Sequence, residues 1–567
     1  MLINWGKTHF LLHQPKRQNK LEFSFKVGCN RLIQVHSTRC LGVILDEDLK
    51  FGDHVDSICS STRRSMYKLN ALNNKSKMDV SILMYKATVR PHLERTYPIW
   101  CMASNKIKKK AEQINRVALL KVTGAMNSTP TAALEIVTHI EPLSIRLEEV
   151  LASFYVKLLR LPEENHLLKL VRHRITHSSS CKFSAQLNIS TRHLPQACFN
   201  PIKIKTPTAI FQQPKQKSPE IYIPEHTHGS SSNRTAAQKK TAKKEAIDRI
   251  QKLPHGQPIL FTDGSALGNP GPCGAGIVYY KNGLSSTPVS TSIPVSNPGT
   301  SYLGEISAID AALIQILDNP AQSSLSEINI LVDCMSAIHA TCTPPDENSD
   351  NFESVQSIRE SVHQLFIKGI ETKLTWIPGH VELEPNELAD LAAKHGAESS
   401  KYLPTPEYRG LGHIKHLIRK ESKLKWQRYW DNTSRHTTLH HHRPHIPTGN
   451  YKSFSNKAAE SKYIRLITGH NKTYNRMHSI KLRDSPNCDC GTDRQTEEHL
   501  LMSCPLHTTS REKMIELIET AYISETQTGQ HRRLTANSIM HPSGPLPLKS
   551  QITQAVMAFV QDAGLTL

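Results

Sequence analysis

The stretch ILFTDGSALGNPGPCGAGIVYY, residues 259–280, decides the fold of the central part of this chain. An apolar run ends in Asp263, a turn rich in Gly, Asn and Pro follows, and a second run ends in Tyr279 and Tyr280. This pattern predicts a β-hairpin. An Asp at the end of a buried strand can point into a cleft, whereas an isolated Asp-Gly pair is more often an ordinary turn.

A second acid follows on a helix. In GTSYLGEISAIDAALIQIL, residues 299–317, apolar residues recur at helical spacing. Glu305 lies on the flank of this stripe and not on the far face, so its carboxylate is expected to be partly buried and to need a cation. The stripe consists of Ile306, Ile309, Leu313 and Ile316.

Two more acids complete the pattern. The run INILVDCMSAI, residues 328–338, predicts an apolar strand that ends in Asp333, with a helix directly behind it. Strand ends of this kind are where α/β sheets place functional groups. The later segment KLTWIPGHVELEPNELADLAAKHG predicts a strand, a loop and a helix that Pro385 opens and that carries Asp390. Four acids in one cleft stay ionised only if divalent cations neutralise them, and oxygen ligands suit Mg²⁺ or Mn²⁺.

The order of these motifs resembles type 1 ribonuclease H: TDGS, GE on a helix, VD before SAI, WIPGH and NELAD. The resemblance implies an α/β fold with a mixed five-stranded sheet flanked by helices. It implies an enzyme that hydrolyses the RNA strand of RNA/DNA hybrids and leaves 5′-phosphate and 3′-hydroxyl ends. It also implies two Mg²⁺ or Mn²⁺ ions, roughly 4 Å apart, on four carboxylates. These four are Asp263, Glu305, Asp333 and Asp390.

The same resemblance assigns further residues to the site. His380, six residues before Asn386, corresponds to the family's histidine that assists proton transfer or product release, although an ordinary exposed loop histidine is the alternative. Gly264, Ser265, Asn269 and Asn386 are the implied contacts to the substrate, where RNA specificity needs a partner for the 2′-hydroxyl.

The N-terminal segment, residues 1–175, resembles another family. The runs LGVILDEDLKF, MYKATVRPHLERTYPIWCMAS and ALLKVTGAMNSTPTAALEIV are similar to the end of the reverse transcriptase of jockey-like non-LTR retrotransposons. The resemblance implies a mostly helical remnant of the palm end and a thumb-like region. We expect no polymerase activity, because the paired catalytic aspartates would lie upstream of Met1. One helix, in residues 107–124, is predicted to have a basic outer face and to stop at Gly124.

The rest of the chain divides at composition changes. Residues 176–250 are rich in Ser, Thr, Pro, Gln and Lys and predict a linker, followed by the ribonuclease H domain at 255–399. Residues 405–567 predict a helical region that also resembles those retrotransposons. It contains a possible zinc ligand set, and a cysteine-containing loop before a helix is the alternative. The set is Cys488, Cys490, His499 and Cys504.

The composition limits the partners and the compartment. The 567 residues include 70 Lys and Arg against 50 Asp and Glu, a net charge of +20, which favours nucleic acid as a partner. Twelve scattered cysteines indicate a reducing compartment. The sequence shows neither a signal peptide nor a run of ~18 apolar residues. We therefore expect a protein of the nucleus or cytoplasm that does not bind membranes. The rival to an active nuclease is a catalytically inactive remnant that only binds nucleic acid.

Overall fold

The protein divides into two compact units. The computed structural model describes residues 4–5, 8–13, 23–72, 76–159, 161, 165–170, 218–224, 234–254, 256–318, 325–343, 351–404, 411–526, 534–565 and 567. Unit 1 consists of residues 1–154, 178–192 and 420–567, and unit 2 of residues 155–177 and 193–419. Within the described ranges no helix is long and apolar enough to cross a bilayer.

The N-terminal segment of unit 1 starts with short strands and continues with helices. The strands are β1 (His9–Leu11), β2 (Phe25–Val27), β3 (Asn30–Val35), β4 (Ser37–Cys40) and β5 (Val43–Asp46). The helices are α1 (Gly52–Leu72), α2 (Met78–Met84), α3 (Arg90–Glu94), α4 (Tyr97–Trp100), α5 (Asn105–Thr123), α6 (Thr131–Thr138) and α7 (Leu143–Leu159), with a π-helical turn, Tyr85–Val89, before α3. Helix α5 buries Ala111, Ile114 and Ala118 and ends at Gly124, as its spacing predicts.

Unit 2 is built on one mixed sheet. Its strands are β6 (Glu220–Tyr222), β7 (Ile259–Ala266), β8 (Gly271–Tyr280), β9 (Val289–Gly299), β10 (Glu327–Val332) and β11 (Glu371–Trp376). They lie in the order β6-β11-β10-β7-β8-β9. The pairs β6/β11, β11/β10 and β10/β7 are parallel, and the hairpin β7/β8 and the pair β8/β9 are antiparallel. The described helices of this unit are α8 (Ala236–Gln251), α9 (Ser301–Leu317), α10 (Met335–Cys342), α11 (Phe352–Ile367) and α12 (Glu384–Ser399), with a 3₁₀ turn at Ser400–Tyr402.

Apolar side chains fill the sheet on both faces. On one face, helices α9, α10 and α11 cover alternate strand residues such as Leu260, Ile330 and Leu374. The predicted stripe of α9 faces this core, and all four of its members are fully buried. On the other face, Ala242, Ala246 and Ile250 of α8 pack against residues of β7 and β8. The predicted α/β fold with a mixed sheet between helices is therefore confirmed.

The prediction of a linker at residues 176–250 was wrong for its C-terminal part. Strand β6 adds a sixth, edge strand to the expected five, with Ile221 opposite Leu374 of β11. Helix α8 buries its alanines in the second core, and a capping box between Thr235 and Gln238 starts it. Paired and buried backbone belongs to the domain and not to a linker. The rest of the predicted linker, residues 176–217 and 225–233, lies outside the described residues.

The C-terminal segment consists of helices and one compact loop region. The helices are α13 (Leu411–Ser434), α14 (Thr438–His442), α15 (Lys457–Thr468), α16 (Tyr474–Ser479), α17 (Thr508–Thr526), α18 (Ala536–Met540) and α19 (Leu546–Asp562). A π-helical turn, His499–Ser503, and a 3₁₀ turn, Pro505–His507, precede α17.

The two ends of the chain fold together, although the sequence predicted separate domains. Residues 1–154 and 420–567 form one compact unit. The Lys425 ammonium pairs with the Glu148 carboxylate at 2.6 Å, and Ser453 Oγ accepts from the backbone N–H of Asp79 at 2.9 Å. Such long-range contacts are invisible in composition, which was the basis for separating the segments.

Candidate active site

The sheet register brings the first two acids together. Strands β7 and β10 are parallel neighbours, and Thr262 lies opposite Val332, the last residue of β10. The next residues along the two strands are Asp263 and Asp333, so the two acids are neighbours in the sheet at the point where β10 ends. Strand β7 itself continues to Ala266, and the end of β10 is where an α/β sheet commonly places functional groups.

Close packing of glycines brings Glu305 to the same place. A Cβ on Gly264 would lie 2.0 Å from the backbone nitrogen of Glu305, and a Cβ on Gly304 would lie 3.0 Å from the Cα of Gly264. Any side chain at these two positions would separate strand β7 from the first turn of α9. Glycine in TDGS and glycine in GE therefore set the distance between the Asp263 and Glu305 carboxylates.

Three carboxylates form one tight cluster. Asp263, Glu305 and Asp333 each offer an oxygen within 4.8 Å of the others. The first two side chains are buried, at 7% and 8% exposure. Burial and the nearby charges of Asp333 and Asp390 raise the pKa of Asp263 to about 8, and burial together with the Asp263 charge raises the pKa of Glu305 well above its usual range. Burial also raises the pKa of Asp333.

This cluster has the donor set for divalent cations. Glu305 Oε2 is buried and has no hydrogen-bond partner among the described residues. A buried polar atom without a partner is costly unless a ligand completes it. All three donors are hard carboxylate oxygens, the type that Mg²⁺ and Mn²⁺ prefer. A cation would also offset the burial and the repulsion that raise the three pKa values, so the residues fit the predicted metals.

Neighbouring side chains hold Asp333 in place. Trp376 Nε1 donates to the Asp333 main-chain oxygen at 3.1 Å, and Asn386 Nδ2 donates to the carboxylate oxygen Oδ2 at 3.5 Å. Gly379 lies so close that a Cβ there would be 2.4 Å from Oδ2. Asn386 is only 3% exposed. It was predicted as a substrate contact, but the structure places its amide on a candidate metal ligand.

The fourth predicted acid lies beside the cluster. Asp390 is on α12, which presses against strand β8 so closely that a Cβ on Gly276 would be 2.1 Å from the main-chain oxygen of Ala389. Its carboxylate pairs with Lys394 Nζ at 2.6 Å and does not belong to the 4.8 Å group. Its charge still contributes to the raised pKa of both Asp263 and Asp333. The structure thus brings three of the four acids together and places the fourth within electrostatic range.

The other predicted site residues take different positions. His380 is exposed, has a left-handed backbone with φ of 56°, and its charge acts on Asp333. The Gly264 backbone N–H donates to Asp263 Oδ1 at 2.7 Å, and Ser265 is half-buried beside it. Asn269 is exposed, and its amide exchanges hydrogen bonds with Ser301 at the start of α9.

Sequence reasoning missed three residues that shape this site. Trp376 and Gly379 were read as parts of a motif, without a contact to Asp333. Lys394 lies four residues after Asp390, a helical spacing that predicts the ion pair directly.

The C-terminal cysteine cluster is assembled as the spacing predicts. Cys488, Cys490, His499 and Cys504 offer ligand atoms within 4.8 Å of one another. The Cys488 and Cys504 sulfurs are 3.8 Å apart, far beyond a disulfide bond and close to the ~3.8 Å that two thiolates at ~2.3 Å from a tetrahedral zinc would show. Hydrogen bonds from Thr492 lower the pKa of Cys490 to about 6, so a thiolate forms readily.

The histidine of this cluster is oriented for metal binding. His499 Nε2 faces Cys490 Sγ at 3.2 Å, and Nδ1 contacts Ser503 Oγ at 3.2 Å. A hydrogen bond on the far nitrogen fixes the ring of metal-binding histidines. Burial raises the pKa of Cys504 to about 11, a cost that a bound cation would offset. The donor chemistry and spacing fit zinc.

Comparisons with known proteins agree with this geometry. Residues 255–398 match the ribonuclease H family model. The RNA-directed DNA polymerase from the mobile element jockey of Drosophila funebris is 27% identical over 168 residues, which make up 29% of this chain and 18% of that protein. The chain therefore matches less than a fifth of the length of this relative.

Similar solved structures are ribonucleases H. Ribonuclease H1 from the archaeon Halobacterium salinarum NRC-1 is 21% identical, with 25% of this chain and 99% of that chain covered and a TM-score of 0.20. The LC11 ribonuclease H1 isolated from compost is 21% identical, with 26% and 99% covered and a TM-score of 0.21. The family match shows that the chain contains a ribonuclease H domain at residues 255–398, and the mobile-element protein of Drosophila funebris shows its relation to a jockey retrotransposon reverse transcriptase.

Proposed function

We propose that the ribonuclease H domain cleaves the RNA strand of RNA/DNA hybrids endonucleolytically and leaves 5′-phosphate and 3′-hydroxyl ends. The observation that supports this most strongly is the cluster of Asp263, Glu305 and Asp333, with a buried Glu305 oxygen that no described residue hydrogen-bonds. Three carboxylates with raised pKa values suit a site that works only when cations are bound.

Each residue of the cluster has a distinct part in this proposal. Asp263, Glu305 and Asp333 would hold two Mg²⁺ or Mn²⁺ ions, which supply an activated water and charge neutralisation at the scissile phosphate. Glu305 offers a buried oxygen that has no hydrogen-bond partner among the described residues, and Asp333 is kept in position by Trp376 and Asn386. Asp390 adds negative charge at the rim and restrains Lys394.

We assign His380 to proton transfer or product release. It is exposed on the loop that passes Asp333 and carries its side chain on a left-handed backbone. An imidazole at the mouth of a phosphate-cleaving site can protonate the leaving 3′-oxygen or release the product. Gly264 and Ser265 border the same edge, and we assign them to contact with the substrate.

Substrate specificity tests the proposal. The full chain with Mg²⁺ is incubated with end-labelled RNA paired to DNA, with the same RNA alone, and with duplex DNA. We expect cleavage of the hybrid only, products that ligase accepts at their 5′ ends, and at least a roughly 100-fold loss in Asp333→Asn. Equal cleavage by that variant, or none by the parent chain under any divalent cation, would favour the inactive nucleic-acid-binding protein instead.

The biological setting of this activity is also part of the proposal. The jockey relative is named as an RNA-directed DNA polymerase of a mobile element. We place this nuclease in the removal of template RNA after a retrotransposon has copied it. The substrate would then be long hybrids made by a reverse transcriptase.

For the cysteine cluster we propose a structural zinc ion. Its four ligands all come from a loop region inside unit 1, and Cys488 and Cys504 are buried. Elemental analysis of protein purified without added metal should give about one zinc per chain, and Cys504→Ser should lose the metal and lower the melting temperature of unit 1. The exposed Cys40 provides a matched Cys→Ser control. A zinc content near zero, or an unchanged content in Cys504→Ser, would contradict the assignment.

A further inference from the structure

The loop between β11 and α12 carries the candidate histidine on an unusual backbone. It covers residues 377–383 and passes the Asp333 carboxylate at Gly379. Two of its residues, His380 and Glu382, have left-handed backbones, with φ of 56° and 60°. Residues other than glycine seldom take this conformation, and it persists only where the surrounding structure holds it. The loop therefore needs contacts from other elements to keep its shape.

Part of this support comes from a segment that precedes the family match. The ribonuclease H family model matches residues 255–398, whereas helix α8 ends at Gln251. Nevertheless, Ala242 and Ala246 of α8 share one buried core with Val381 of the loop, which is only 3% exposed. The loop thus packs into a core that α8 helps to build.

Arg234 adds a direct contact to the loop. Its Nη1 donates to the main-chain oxygen of Gly379 at 3.1 Å, and its side chain is half-buried. The next residue, Thr235, starts α8 through the capping box, so the backbone from which Arg234 reaches the loop is fixed.

This hydrogen bond acts on the peptide group that joins Gly379 to His380. The Gly379 oxygen and the His380 nitrogen lie in one rigid plane, and φ of His380 is the rotation about the bond that follows this nitrogen. A donor that holds the plane therefore limits φ of His380 and the direction in which its side chain leaves the backbone.

Lys243 makes a weaker contact with the same loop. Its Nζ lies 4.0 Å from Glu382 Oε2, and the Glu382 side chain is 94% exposed. Water screens such a pair, so it contributes little. A hydrogen bond with a charged donor, as Arg234 makes, is about twice as strong as one between neutral groups. Lys243 is thus a natural control, with the same charge on the helix that Arg234 precedes.

We propose that Arg234 is a positioning residue of the nuclease and acts through His380. By holding the Gly379–His380 peptide group, it keeps the imidazole beside the carboxylate cluster, where the charge of His380 acts on Asp333. This inference rests on the nuclease function proposed above. It extends the working domain to a residue outside the family match at 255–398.

Steady-state cleavage of an RNA/DNA hybrid tests the role of Arg234. The full chain is compared with Arg234→Met and Lys243→Met in 5 mM Mg²⁺, and melting curves establish that the variants are folded at the assay temperature. Arg234→Met should lower kcat about tenfold, the effect of losing one hydrogen bond from a charged donor, and leave KM for the hybrid unchanged. Lys243→Met should keep the kcat of the parent. A parent-like kcat for Arg234→Met would overturn the proposal.

A double substitution tests the route through His380. If Arg234 acts by placing this imidazole, Arg234→Met should change kcat by less than about twofold once His380→Ala has removed the ring. A general loss of structure would instead slow the His380→Ala variant by the same factor as the parent. The full tenfold slowing in the His380→Ala background would therefore overturn the proposal.

A measurement without substrate separates this inference from the nuclease proposal. A glutamate-specific protease can cut after the exposed Glu382 only when the loop opens, and peptide mass spectrometry measures the rate of this cut in EDTA. Arg234→Met should be cut there several-fold faster than the parent, and Lys243→Met should not. Equal rates in the parent and Arg234→Met would refute the anchor even if the chain cleaves hybrids. Inactivity of the parent towards hybrids would instead refute the nuclease, and the role of Arg234 with it.

Discussion

Removing one carboxylate from the candidate metal site should stabilise the metal-free protein. In Asp263→Asn the side chain keeps its shape and an oxygen that can accept from the Gly264 N–H. The charge that repels Glu305, Asp333 and Asp390 is lost. The variant should therefore unfold at a higher temperature than the parent in EDTA and should lose most of the response to Mg²⁺.

The magnitude follows from the pKa of Asp263. A carboxyl with a pKa of about 8 in the folded state and 3.8 in the unfolded state costs at most about 4 kcal/mol at pH 7. Relaxation and water entry reduce such costs, so we expect about 2 kcal/mol, or roughly 4–8 °C in the melting temperature of unit 2. The folded state binds more protons than the unfolded state between about pH 4 and pH 8, so the stability of the parent falls as pH rises through this window. The advantage of Asp263→Asn is thus small near pH 4 and complete above about pH 8.

Calorimetry of the full chain at pH 5 and pH 8, with EDTA or 5 mM Mg²⁺, measures the effect. Asp318→Asn is the matched control, because Asp318 is exposed at the end of α9. Equal melting temperatures for parent and Asp263→Asn at pH 8 in EDTA would refute the reasoning. Equal stabilisation of both by Mg²⁺ would refute it as well.

Other substitutions test the packing around the cluster. Gly264→Ala should lower the free energy of unfolding, measured in urea, by more than about 3 kcal/mol, because its Cβ would lie 2.0 Å from a backbone nitrogen of α9. Gly256→Ala is the control: its Cβ would meet open space, and only its positive φ should lower the free energy of unfolding, by about 1 kcal/mol. Gly379→Ala should raise the Mg²⁺ concentration needed for half-maximal cleavage about tenfold, because its Cβ would displace the Asp333 carboxylate. An unchanged Mg²⁺ requirement would exclude that displacement. Asn386→Asp places another carboxylate against Asp333 and should lower the melting temperature in EDTA at pH 8 more than at pH 5; the reverse order would contradict the charge argument.

Much of the nuclease domain could be predicted because its signals are local. The apolar run before Asp263, the helix stripe beside Glu305 and the apolar strand before Asp333 each occupy a continuous stretch. Local periodicity predicts the type of element and the face on which an acid lies. The order of the motifs then resembles one family, and the family match at residues 255–398 confirms it.

The parts that were missed depend on distant contacts or on weak local signals. Strand β6 has only three residues, and its stability comes from pairing with β11. Its flanking sequence is rich in Pro and Lys, so the local pattern did not predict a strand there. Helix α8 buries Ala242 and Ala246, whose small side chains give only a weak apolar periodicity in the sequence. The capping box of Thr235 and Gln238 was a signal in the sequence for the start of this helix. The burial of Asn386 and the union of the two chain ends depend on tertiary packing that no single segment shows.

Cleavage of a hybrid by a Glu305 variant tests the central claim most directly. Glu305→Gln keeps the size of a buried carboxylate of the cluster but removes its charge, and Asp318→Asn removes the same charge from the other end of helix α9. Single-turnover cleavage of an RNA/DNA hybrid is measured for the parent and both variants as Mg²⁺ is increased. We predict that Asp318→Asn cleaves like the parent and that Glu305→Gln is slower by at least about 100-fold at every Mg²⁺ concentration. Parent-like cleavage by Glu305→Gln would contradict the metal centre proposed for this cluster.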